Sequence, residues 1–105
     1  MSSFLDKKYN SVKVNDLKDK LVNINLIDIR EPYEFNNGHL PNAKNIPMEN
    51  IVNYPEKYLT KDKEYYIICQ SGVRSSRTCN FLDRKGYKII NVSGGTGNYN
   101  GKLDK

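Results

Sequence analysis

Three short runs rich in β-branched and aromatic residues constrain the fold of this chain most: Ile24–Ile29 (INLIDI), Glu64–Cys69 (EYYIIC) and Lys88–Val92 (KIINV). A sheet with one wet face alternates apolar and polar residues. A near-continuous apolar run such as INLIDI belongs instead to a strand buried on both faces, the parallel-sheet pattern. Parallel strands need long crossovers, and the stretches between the runs have helical character. Arg74–Lys85 reads as a helix stopped by Gly86, and Tyr33–Asn37 as a short helical turn set by Pro32 and ended by Gly38. Glu49–Leu59 is a weaker helical region interrupted by Pro55, and Asn15 is placed to N-cap a helix through about Leu21. Ser11–Val14 and Lys44–Ile46 supply two further short strands, and Gly94–Gly101 a glycine-rich turn with a short terminal helix. The alternation predicts an α/β fold around a mostly parallel sheet. The 105 residues suit one domain, 1–105, with no internal repeat or linker.

Composition narrows the function classes. Lysine and arginine (17) exceed aspartate and glutamate (12), for a net charge of +5. Thirteen of the seventeen are lysines, dispersed singly or in pairs, so the charge reads as a solvated surface and not as a nucleic-acid interface. A mild positive field would still attract small anions. No stretch approaches ~20 apolar residues, which excludes a helical membrane span. The segment MSSFLDKKYN lacks the apolar region of a signal peptide, and two cysteines make no disulfide framework. The expectation is a cytoplasmic protein with free thiols, a monomer by preference. One histidine and two cysteines make no zinc set, so no metal is expected.

In open α/β sheets, sites form beyond the carboxyl ends of the strands. The loops after Ile29 and after Cys69 therefore matter most. Behind Cys69 come Gln70, Ser71, Gly72, Val73, Arg74 and Ser75, a short glycine-containing loop that opens a helix. Amide N–H groups of such a loop turn inward, and the helix start adds its dipole and unpaired donors. That cradle favours thiolate over thiol, with Arg74 adding a positive charge nearby. Cys69 is the candidate nucleophile, and Gln70 to Ser75 the residues that would hold its sulfur and a bound anion. Phosphatase-type cysteine enzymes place five residues between cysteine and arginine. Here four intervene, which leaves less room for a tetrahedral oxyanion and suits a single added sulfur atom.

These residues carry a family resemblance. CQSGVRS, Cys69 to Ser75, resembles the Cys-x-x-Gly-x-Arg-Ser loop of the rhodaneses, the sulfurtransferases. The stretch from Ile27 to Pro47 (IDIREPYEFNNGHLPNAKNIP) resembles their second hallmark, and Gly86-Tyr87 with Gly94-Gly95 and Tyr99 their closing pattern, with tyrosine where tryptophan is commoner. The resemblance covers nearly the whole chain in order. It implies a rhodanese-like sheet with helices on both faces. It also implies a ping-pong reaction: Cys69 takes the outer sulfur of a donor such as thiosulfate as a persulfide, then yields it to cyanide or a thiol acceptor, a thiol protein included. No cofactor is implied. Thiosulfate-specific members often carry further cations around the loop, whereas Gln70 and Ser71 are neutral. Three alternatives stay open at this point: a persulfide carrier without turnover of its own, an arsenate reductase or phosphatase on the same fold, and, from charge alone, a nucleic-acid-binding domain.

The remaining reactive residues have structural readings. Ser75, Thr78, Cys79 and Leu82 share one helix stripe, which buries Cys79 as a core residue and not as a resolving thiol. Asp28 is expected to bond loop backbone or pair with Arg30, and Glu34 to support the same loop. His39 belongs to a Gly-His turn that supports the fold. Arg77 is expected to be an exposed helix charge.

Overall fold

The computed structural model describes residues 9–105. Five strands, β1 (Asn10–Lys13), β2 (Leu26–Asp28), β3 (Lys44–Asn45), β4 (Glu64–Ile68) and β5 (Lys88–Ser93), form one sheet in the order β1-β5-β4-β2-β3. All four pairings are parallel, with Tyr66 beside both Leu26 and Ile90. The helices are α1 (Pro32–Asn36), α2 (Met48–Asn53), α3 (Pro55–Tyr58) and α4 (Val73–Arg84).

Alternation along the strands divides the core into two layers. Ile27, Ile67 and Ile89, with Ile29 and Cys69 just past the strand ends, face Ile51 of α2 and Cys79 and Leu82 of α4. Leu26, Ile68 and Val92 face the other way, onto Val14, Leu17, Leu21 and Leu40. Both faces of the sheet are therefore covered, but by different means. The α-helices α2, α3 and α4 cover one face, and 3₁₀ turns with the chain's last segment cover the other.

That difference corrects one expectation. Asn15 caps no α-helix: residues Val14–Leu17 and Leu21–Asn23 form two 3₁₀ turns. The segment holds Asn15, Asp16, Asp19 and Asn23, residues that compete with a helical backbone through their own side chains. A 3₁₀ turn eclipses residues three apart, so Val14 and Leu17 both reach the sheet. The Asn15 side chain bridges to the other end of the chain, donating to the Asn98 carbonyl and accepting from the Asn100 amide. Elsewhere the expected elements are present with ends shifted by a residue or two.

The chain leaves β2 toward β3 on one side, while β4 leads through α4 to β5 on the other. The carboxyl ends of β2 and β4 thus flank the crevice at which the winding reverses, the place such sheets offer a ligand.

Candidate active site

Cys69 stands at the end of β4 with no exposed surface. Its Sγ accepts the amide N–H of Gly72 at 3.1 Å and that of Ser75 at 3.3 Å. The Ser75 hydroxyl lies 3.4 Å from Sγ and 3.2 Å from the Gly72 carbonyl. A hydroxyl has one proton, so it bonds the carbonyl while the sulfur is a thiol and is free to turn to a thiolate. The loop closes this tightly because Gly72, which caps α4, has φ of +107°, a left-handed conformation open to glycine. The helix behind it is twelve residues long and directs its amino end at the sulfur. Gln70, Ser71 and Val73 lie exposed on the rim, Gly72 and Arg74 are half-buried, and Ser75 is buried.

Two arginine bridges tie this loop to the loop after β2. Arg30, itself buried, grips Asp28 through Nε (3.0 and 3.1 Å) and Nη2 (2.8 Å). It also donates to the Gly38 carbonyl at 2.8 Å and to Oε1 of Gln70 at 3.1 Å. Arg74 reaches back the opposite way, with Nη1 and Nη2 each 2.9 Å from an oxygen of Glu34. That fork, with the Glu31 amide bonded to the same carboxylate, holds the Glu34 carboxyl well below its ordinary range, at about 2, against the opposing effect of burial. The Arg74 guanidinium is thus bonded to Glu34 and not to the sulfur.

A third set of contacts comes from the loop after β5. Thr96 and Gly97 donate their amides to the carbonyls of Cys69 and Gln70 at 2.8 and 2.9 Å. A Cβ on Gly95 would stand 2.5 Å from both of those oxygens, so the approach requires glycine. The glycine cluster expected as turn chemistry therefore also braces the site. Its signal was in the sequence: in a parallel sheet with β5 beside β4, a glycine run after β5 lies against the loop after β4. The partners Glu34 and Gln70, each forty residues from its arginine, carry no such local signal.

The other candidates lie where their structural readings put them. His39 stacks on Phe35 at 3.8 Å, and its backbone exchanges two hydrogen bonds with Asp104, the contacts of a turn that supports the fold. Cys79 is wholly buried in the α4 layer. Burial, with the charges of Cys69 and Asp83, pushes its thiol well above the ordinary range and keeps it protonated. Arg77 is exposed on α4. Among the described residues no cluster of side chains suits a metal ion, and no helix is long and apolar enough to cross a membrane.

The Cys69 sulfur thus receives two amide hydrogens at a helix start, the geometry of an anion cradle. Comparison with known proteins places the chain in a family. Residues 13–102 match the rhodanese-like domain family. YtwF of Bacillus subtilis is 50% identical over 72 residues, which span 67% of this chain and 67% of that protein. A sulfurtransferase of Allochromatium vinosum is 33% identical over 96 residues, 90% of this chain and 85% of its own. The crystal structure of a rhodanese-like domain protein from Staphylococcus aureus superposes with a TM-score of 0.77 at 33% identity, covering 90% of this chain and 96% of that one.

Proposed function

The chain belongs to the rhodanese-like sulfurtransferase family, and from that premise we propose that it transfers sulfane sulfur through a persulfide on Cys69. The observation that carries the reading is the pair of amide bonds from Gly72 and Ser75 to a sulfur at the start of α4. The Cys69 thiolate attacks the outer sulfur of a donor, the donor's S–S bond breaks, and the remainder leaves with the electron pair. The transferred sulfur is then held on Cys69 as a persulfide at the head of the same loop. An acceptor thiolate, or cyanide in an assay, attacks that outer sulfur and returns Cys69 to its thiolate. A thiolate attacks without a general base, so the step asks for none.

The Arg74–Glu34 fork speaks against the phosphatase alternative. A tetrahedral oxyanion needs a cation facing it, and this guanidinium already has both Nη atoms on a carboxylate. Intact-protein mass spectrometry after incubation with a sulfane donor, beside Cys69→Ser, tests the reading. The expected result is one added sulfur on the wild type, absent in the variant and removed by cyanide. Continuous thiocyanate release then separates an enzyme from a carrier. If no sulfane donor adds sulfur to Cys69, the reading fails.

A further inference from the structure

No unpaired cation stands among the described side chains bonded at the mouth of the Cys69 site. Its two guanidinium groups are both paired: Arg74 with Glu34 through two bonds of 2.9 Å, and Arg30 with Asp28 through three bonds of 2.8 to 3.1 Å. The Asp28 and Arg30 side chains are buried, so their pair presents no field to an incoming molecule beyond a dipole. Glu34 keeps its charge at every neutral pH because Arg74 holds its carboxyl at about 2. The other loop residues, Gln70, Ser71, Gly72 and Val73, are uncharged. Gln70 is fixed by Arg30, so its side chain is held as a neutral amide at the rim. On the flank formed by the loop after β5, Lys13 and Asp16 line one shallow cleft together with Gly94, again one charge of each sign. Arg77 is exposed a turn further along α4 and shares no hydrogen bond with the loop among the described residues.

A donor must approach a sulfur that is itself an anion. For the thiosulfate dianion, attack gathers three negative charges in this crevice, with no unpaired cation among the loop residues and their bonded partners to offset them. For a hydropersulfide, which reacts as its protonated form R–S–SH, attack gathers one at the reacting sulfurs. We propose that the sulfur donor of this protein is a hydropersulfide and not thiosulfate, the discrimination being set by the carboxylates that neutralise Arg74 and Arg30. The inference rests on the persulfide reading given above. The step balances: the Cys69 thiolate forms a bond to the outer sulfur, the inner S–S bond breaks, and RS⁻ leaves with the electron pair. The proton stays on the transferred sulfur, giving Cys69–S–SH.

The test measures initial rates of sulfur addition to Cys69 by mass spectrometry, with cysteine hydropersulfide and with thiosulfate at equal concentration. Wild type, Glu34→Gln and Ser71→Arg are compared. Glu34→Gln releases the Arg74 charge, and Ser71→Arg adds a cation on the exposed rim without touching either bridge. The wild type is expected to load at least about tenfold faster from the hydropersulfide. The thiosulfate rate is expected to rise about fivefold or more in Ser71→Arg and to rise also in Glu34→Gln. Equal loading from both donors in the wild type overturns the proposal. So does a ratio that stays fixed in Ser71→Arg, because charge would then not be its cause. Loading from neither donor overturns the persulfide reading itself, an outcome distinct from loading by thiosulfate alone.

Discussion

Gly95 sets how closely the loop after β5 approaches the carbonyls of Cys69 and Gln70, and it has φ of +68° besides. Gly95→Ala meets backbone on one side and a strained dihedral on the other. It is expected to cost about 2–4 kcal/mol in urea denaturation and to slow sulfur loading. Arg30→Met leaves the buried Asp28 carboxylate without its counter-charge, held only by the backbone amide of residue 30, and a loss of about 3–5 kcal/mol is expected in the same measurement. Cys79 separates two roles. As a buried, protonated core thiol it should tolerate Cys79→Ala at a cost of about 1 kcal/mol, with sulfur loading on Cys69 intact. Abolished loading in a folded Cys79→Ala variant would mark it as a participant.

Between elements, the Glu34–Arg74 fork joins α1 to the first turn of α4. Glu34 titrates lower in the folded chain than in the unfolded one. Its contribution is therefore complete above the ordinary glutamate range and fades as pH falls from about 5 toward 2. Partial exposure of Arg74 screens the pair, which leaves on the order of 1–2 kcal/mol. In urea denaturation wild type and Glu34→Gln should differ by that amount at pH 6.5 and by clearly less at pH 3, converging only as pH nears 2. The helices and strands themselves were legible in the sequence because periodicity and punctuation are local: Gly86 ends α4, and Pro55 splits α2 from α3. Cys69 and its loop were legible for the same reason, as a strand, a glycine and a helix start in succession. The covering of the second face was not, because Asn15 resembles a cap in isolation. Only the need of Val14 and Leu17 to meet the sheet selects a 3₁₀ turn. The two arginine bridges were not legible either, since each spans forty residues and depends on the order in which strands pair.

At the scale of the molecule, the parallel order brings three separate loops to one edge, and the chain's end locks one of them. Asp104 pairs with His39, and Leu103 lies against Gly38, whose carbonyl receives Arg30. Deleting residues 103–105 is expected to cost about 1–2 kcal/mol and to speed amide exchange around Gly38, while β4, flanked by β2 and β5, stays the slowest to exchange. The Cys69 loop is thereby fixed at three separate places: Gln70 by Arg30, Arg74 by Glu34, and its first two carbonyls by Thr96 and Gly97. A body pinned at three points off one line keeps no freedom to translate or rock. The ordering that brings amides to the sulfur is then settled once, when the chain folds, and not again at every turnover. On the nanosecond timescale the backbone from Cys69 to Ser75 should show NMR order parameters near 0.85, those of a helix interior, the same before and after a sulfur is loaded.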